Sequence, residues 1–350
     1  MDRQRLVEGV IVSCLFVVAL VLFGDPRKTL TLLTTINPAP YAIALGTTIT
    51  GLLVWSETLA SLLRAQGETL TPGRFQLGFV AGTGLRSLVP GGSTTGPLVL
   101  AYVVSRSNRV SGETSVAMSY VFEVFLWVGT SAVGMTGFIL LILNTEISDI
   151  EQKLAAGLIG LAIFVFLILF YGIQYPESIE NRIEWIVKWF HERAQGRSKL
   201  LAQYLDVEVV DERLDRFFGA FRRLGDDPAH LIPGLATAII GWFVHALTLY
   251  FVFMSIGIQV GFAVPFIVVP VAGLTEGLSM LPGGLGVFEA AFVSLLVLLT
   301  TIDVPAATTT VILYRLSNYW FRLGLGFASV AILGLTGMFR GSIDEALSAS

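Results

Sequence analysis

Apolar runs long enough to cross a lipid bilayer recur along this chain from Leu6 to Phe339, and only the stretch from Gln174 to Ala229 interrupts them for long. A hydrocarbon core about 30 Å thick takes about 20 helical residues, and inside it the backbone must satisfy its own hydrogen bonds. The chain therefore reads as an all-α polytopic membrane protein. Composition agrees: 54% of the 350 residues are hydrophobic and 14% are charged, which is outside the usual range of soluble domains. No stretch has room for a separate soluble catalytic domain of normal size. The net charge of -4 carries no basic cluster interleaved with aromatics, so nucleic acid is excluded as a partner. The lone Cys14 forms neither an intrachain disulfide nor a thiolate metal cluster. Leu6 to Phe23 follows a short basic start, but Gly24-Asp25-Pro26-Arg27-Lys28 offers no small-residue cleavage site; the run is read as a first transmembrane helix rather than a signal peptide.

Five stretches read as simple spans: Leu6 to Phe23, Tyr41 to Leu63, Ser115 to Leu143, Leu154 to Ile173 and Leu231 to Ile258. A sixth, Ala306 to Phe339, is long enough to tilt, kink at Gly324 or Gly326, or split. Two others, Phe75 to Val104 and Phe262 to Thr300, are broken at their middle by Pro90-Gly91-Gly92 and Pro282-Gly283-Gly284. Proline removes a helix donor and glycine lowers helix propensity, so each is expected to be two half-helices joined at a tip. If both turn back, as re-entrant hairpins from opposite faces, sixteen of the 22 lysines and arginines fall on the side of the N-terminus, as the positive-inside rule asks. The expected architecture is about six full spans plus two broken re-entrant hairpins, arranged as an inverted-topology repeat. It forms one transmembrane domain over 1–350, with repeat 1 over about 1–173 and repeat 2 over about 230–340. Between them, Ile179, Ile183, Ile186, Val187 and Phe190 at helical spacing, flanked by Trp185 and Trp189, describe a cytoplasmic amphipathic helical insert over about 174–229. Superposing the two tripeptides places Ser87 on Ser279, and Gly78 with Gly82 and Gly273 with Gly277 permit close helix approach in the descending arms.

Ionisable residues at membrane depth cost at least about 2.5–3.5 kcal/mol each on insertion scales and are functional candidates by default. They are Glu57, Arg86, Glu123, Glu276, Glu289, Arg315 and Arg322. The same superposition sets Glu123 opposite Arg315, so that an ion pair between them is expected, either functional or merely holding helices together. At the tips, half-helix ends expose amides with positive partial charge, which suits an anionic group. Gly91, Gly92, Gly283, Gly284 and Gly286 would let that group approach the backbone, with Ser93 beside the first tip and Arg86 adding positive charge; tight turning alone also explains these glycines.

Catalysis finds no support. His191, His230 and His245 are scattered and no metalloenzyme or nucleophile-elbow motif occurs. Asp226, Asp227 and His230 are better explained by a helix start at Asp227-Pro228 than by a metal. Pro90 to Gly96 lacks the Gly-Lys-Ser/Thr ending of a nucleotide loop. No cofactor and no metal are expected.

Gly277-Leu278-Ser279-Met280-Leu281-Pro282-Gly283-Gly284-Leu285-Gly286-Val287-Phe288-Glu289 resembles the motif of the lysylphosphatidylglycerol synthase transmembrane-region family, whose members are often described as flippase-like. Leu88-Val89-Pro90-Gly91-Gly92 looks like its companion motif and Tyr314-Arg315 like the Tyr-Arg of its last segment. The chain departs from the family at Phe288, where a polar or charged residue is common. Bifunctional members continue into a soluble aminoacyltransferase domain, and this sequence ends at Ser350, so the resemblance implies the part associated with moving lipids between leaflets. The expectation is a flippase or transporter of an anionic phospholipid or lipid-linked headgroup, in the plasma membrane with cytoplasmic termini. Its site is expected to comprise Arg86, Pro90, Gly91, Gly92, Ser93, Glu123, Glu276, Ser279, Pro282, Gly283, Gly284, Gly286, Glu289 and Arg315. Replacing Arg315 by alanine is expected to abolish transfer without unfolding. Competing expectations are a non-catalytic membrane partner of a separate lipid-modifying or glycosyl-transfer enzyme, a small-solute transporter, and, last, an enzyme acting on a lipid-linked phosphate. Nothing in the sequence fixes an oligomeric state.

Overall fold

A computed structural model describes residues 25–89, 95–144, 231–278 and 282–335, and all its regular elements are helical. The expected spans Leu6 to Phe23 and Leu154 to Ile173, the insert at 174–229, Pro90, Gly91, Gly92, Ser93 and Ser279 lie outside the described residues.

Among the described residues, three helices are long and apolar enough to cross a membrane: α2 (Pro38–Ala65), α5 (Gly112–Asn144) and α6 (Leu231–Ser255). They coincide with three of the expected simple spans. Before them stands a short helix, α1 (Pro26–Thr34). Its cause is local: the Asp25 side chain accepts from the amides of Arg27 and Lys28, and Pro26 opens the first turn.

The first broken stretch forms α3 (Pro72–Arg86) and α4 (Gly96–Asn108), and the two run antiparallel. Arg74 Nε donates to the Ser107 carbonyl, Gly78 lies against Ser107, Gly82 against Leu100 and Gly96 against Arg86. The partner number falls as the residue number rises, which is the signature of a chain folding back on itself. A Cβ on Gly82 would stand 2.7 Å from Leu100 Cδ1, so glycine sets this approach. The second stretch forms α7 (Ala263–Leu278) and α8 (Val287–Leu299), joined through a 3-10 turn at Pro282–Gly284. Val264, Val268 and Ala272 of α7 share a buried cluster with Phe288, Phe292 and Leu296 of α8.

The last segment differs from its expectation. It continues from α9 (Val304–Arg315) through one π-helical turn (Leu316–Trp320) into α10 (Phe321–Ile332). The irregularity sits at Leu316–Trp320, not at Gly324 or Gly326. Those glycines lie inside regular helix, and Gly326 serves packing instead: a Cβ on Gly84 of α3 would stand 2.7 Å from Gly326 Cα.

The centre of the bundle is the antiparallel pair α2 and α6. Thr47 bonds Thr248 and Thr58 bonds Thr237, each at 2.9 Å between hydroxyl oxygens. Between these rungs Trp55 meets Trp242 edge to face, with ring centroids 5.3 Å apart. The two hairpins pack outward from this pair, α3 on α10 and α7 on α5.

Candidate functional site

The second tip is built from three glycines in left-handed conformations, Gly283 (φ 62°), Gly284 (φ 65°) and Gly286 (φ 90°). Any other residue at these positions would be strained. Beyond the turn, the Glu289 carboxylate reaches back and accepts the Gly286 amide at 2.6 Å, capping α8. Its other oxygen accepts from Arg315 Nε at 2.6 Å. Arg315 also donates through Nη2 to the Gly283 carbonyl at 2.8 Å and lies 3.9 Å over the Phe288 ring. One arginine from α9 therefore grips both ends of the turn, directly at Gly283 and through Glu289 at Gly286. Phe288, the departure from the family pattern, supplies the aromatic face on which the guanidinium rests. Both charged side chains are buried, at 8% and 3% exposure.

The first tip carries a different pair. Arg86, at the end of α3, forms an ion pair with Glu123 of α5, and the two remain 19% and 12% exposed. Arg86 crosses the start of α4 beside Gly96. A cation there opposes the helix dipole, and Glu123 offsets it. The expected pair of Glu123 with Arg315 is thus corrected. Each is the partner of a residue in its own hairpin, because α5 and α9 each lie beside the hairpin that precedes them and each rotates its charge toward that hairpin.

Tyr319, on the π turn, joins the tips. Its ring occupies the space where a Cβ on Gly283 would stand, and its hydroxyl donates to the Ser87 carbonyl at 3.1 Å. The same turn positions Asn318, whose Nδ2 lies 3.1 Å from His245 Nε2 and 3.3 Å from the Tyr314 hydroxyl. Tyr314 and His245 are themselves 3.1 Å apart. A widened turn of this kind re-aims side chains without ending the helix and recurs at functional positions.

Between these groups lies a partly open cavity of about 190 Å³. Both hairpins line it, the first with Thr83, Arg86 and Ser87, the second with Gly273, Gly283 and Phe288. Glu123 and Arg322 bring further charge; Trp55, Trp127, Trp242, His245 and Tyr314 supply aromatic walls, and Asn318 an amide. Of the expected site residues, the structure brings Arg86, Glu123 and Gly283 to this cavity. Arg315, Glu289 and Gly286 stand behind its wall as the lock of the second tip. Sequence reading missed Trp55, Trp127, Trp242, His245 and Asn318. The available signal was polar or amphipathic residues at helical spacing inside apolar helices, Trp242 with His245 and Tyr314 with Asn318.

A polytopic helical protein with two hairpins converging on a charged cavity is the class that fold and site define. The chain belongs to the lysylphosphatidylglycerol synthase TM region family, whose model matches residues 10–326, and it is an integral membrane protein. Among its relatives is a UPF0104 membrane protein of Methanothermobacter thermautotrophicus, 22% identical over 268 residues, which span 73% of this chain and 74% of that protein. A UPF0104 membrane protein of Pyrococcus horikoshii is 21% identical over 274 residues, 78% of this chain and 81% of the relative. The glycosyltransferase AglD of Haloferax volcanii is 24% identical over 335 residues, 89% of this chain but 51% of AglD. The chain thus spans about half the length of that last relative.

Proposed function

We propose that the protein moves a lipid with an anionic headgroup between leaflets, the headgroup passing through the cavity while the acyl chains stay in the membrane. The observation that carries this reading is the cavity itself: it lies between two folded-back hairpins, and the charged side chains that line it, among the described residues, are Arg86, Arg322 and Glu123. Inverted repeats that meet at broken helices are a recurrent transporter architecture. A shift of 192 residues supports such a repeat here, because it carries the starts of α2, α3, α4 and α5 to within one residue of the starts of α6, α7, α8 and α9. The same shift carries Pro90 to Pro282 and Glu123 to Arg315. About six spans, cytoplasmic termini and a plasma-membrane location complete the proposal.

The test is transbilayer movement of fluorescent lipids in vesicles containing the purified protein, read as protection from a membrane-impermeant reductant. Fluorescent phosphatidylglycerol should exchange well above protein-free vesicles and faster than the zwitterionic phosphatidylcholine probe. Equal, protein-independent rates for both would overturn the reading.

The similarity to AglD favours a second reading, a non-catalytic membrane partner of a separate glycosyl-transfer enzyme. It predicts co-purification of such an enzyme with the tagged protein and no lipid movement by the protein alone.

A further inference from the structure

The fastening between the two hairpins bears on how access to the cavity changes, an inference that rests on the transport reading and on hairpins entering from opposite faces. Ser87 of the first hairpin and Gly283 of the second both line the cavity. Tyr319 ties them together, its ring packed on Gly283 and its hydroxyl donating to the Ser87 carbonyl at 3.1 Å. Its neighbours hold that ring in place: Trp320 meets it edge to face at 5.2 Å between centroids, and the Arg315 guanidinium lies 5.3 Å over it. Tyr319 is 2% exposed. The shift of 192 residues that relates the two halves carries Trp127 onto Tyr319. Trp127, in contrast, lines the cavity and is 37% exposed, the most exposed of the lining residues. Equivalent aromatics of the two halves thus stand differently, one wedged between the hairpins and the other at the exposed side of the cavity. Two halves of an inverted repeat held in different states leave their shared site open toward one face and closed toward the other. Near Tyr319, α3 and α10 touch through backbone, since a Cβ on Gly326 would stand 2.8 Å from Gly84 Cα. No interlocked side chains oppose a roll of one helix on the other at that point.

We propose that Tyr319 is a gate between the hairpins: here it seals the cavity from one membrane face, and its release from Ser87 lets the hairpins part and opens the cavity to that face. The fastening is weak enough to cycle. One neutral hydrogen bond favours the closed state by about two- to tenfold. The wide i→i+5 turn that carries Tyr319 withdraws the ring by tightening to α-helical pitch, which turns α10 against α9 without breaking either helix.

Thiol labelling of the full chain in sealed vesicles tests this without any lipid probe. Thr83 lines the cavity, and Cys14 is the lone cysteine. Thr83→Cys, made together with Cys14→Ser, is treated with a membrane-impermeant anionic methanethiosulfonate in right-side-out and in inside-out vesicles, with unfolded protein as the control for full reaction. With Tyr319 in place the label should arrive much faster from one face than from the other. Tyr319→Phe keeps the ring and removes the donor, and should raise the rate from the slow face about two- to tenfold. Tyr319→Ala also empties the space on Gly283 and should raise it further, with melting curves confirming the fold of both. Equal rates from the two faces with Tyr319 present, no label from either face, or a slow-face rate unmoved in both folded variants would overturn the gate. Labelling that follows the expected pattern while no lipid probe moves would uphold the gate and overturn the lipid assignment alone.

Discussion

The two hairpin tips use the same materials in opposite ways. At the second, the arginine comes from the following helix and the glutamate from the hairpin; at the first, Arg86 belongs to the hairpin and Glu123 to the following helix. The second pair is spent on backbone, since Arg315 holds the Gly283 carbonyl and Glu289 the Gly286 amide. The first pair faces the cavity. Buried charges survive in an apolar setting only when their hydrogen-bonding capacity is filled. The two pairs therefore differ in place: one ion pair fixes a turn, and the other lines the cavity, where the proposed function has it meet the headgroup.

The largest effect that would break this comparison is at the lock. Arg315→Ala leaves Glu289 buried without its counter-ion, a loss of about 3–5 kcal/mol by analogy with other buried pairs. The variant should melt far below the parent, so it is not the clean probe of transfer that the sequence alone promised. Arg86→Ala, at a pair still partly open, should cost about 1–2 kcal/mol, between exposed and buried cases. Melting curves of both variants in the same detergent check the ranking, and equal losses would erase the distinction between the tips.

The smallest effect lies outside the three membrane-length helices, where Lys28 of α1 pairs with Asp303 at the start of α9, each about half exposed. The hydrogen bond from Lys28 holds the Asp303 carboxyl below the usual carboxylate range. A depressed carboxylate stabilises the fold above its unfolded pKa of about 4, and that contribution disappears as pH falls through the folded value. Asp303→Asn should therefore lower stability by no more than about 0.5 kcal/mol at pH 7 and by nothing measurable at pH 3. A melting comparison at the two pH values checks it.

Helices, breaks and the charges at membrane depth were legible because length, proline, glycine and ionisable residues act locally. The starts of α2 and α6 at Pro38 and Leu231 fall within a few residues of the expected ones. Partner choice was not legible. Whether Arg315 finds Glu123 or Glu289 depends on helix rotation and on which elements pack together, and neither is written in spacing. The π turn at Leu316–Trp320 was equally hidden, since Leu-Ser-Asn-Tyr-Trp carries no proline or glycine to mark it. His245 looked isolated because its partners, Tyr314 and Asn318, are about seventy residues away in the chain.

The most direct test of the central claim is the transbilayer rate of fluorescent phosphatidylglycerol with the neutral double variant Arg86→Gln/Glu123→Gln, which removes both charges of the cavity pair together and so leaves no counter-ion stranded. The account predicts a fall of at least about tenfold in rate, equivalent to about 1.4 kcal/mol, in protein that melts within a few degrees of the parent. An unchanged rate in folded protein would contradict it.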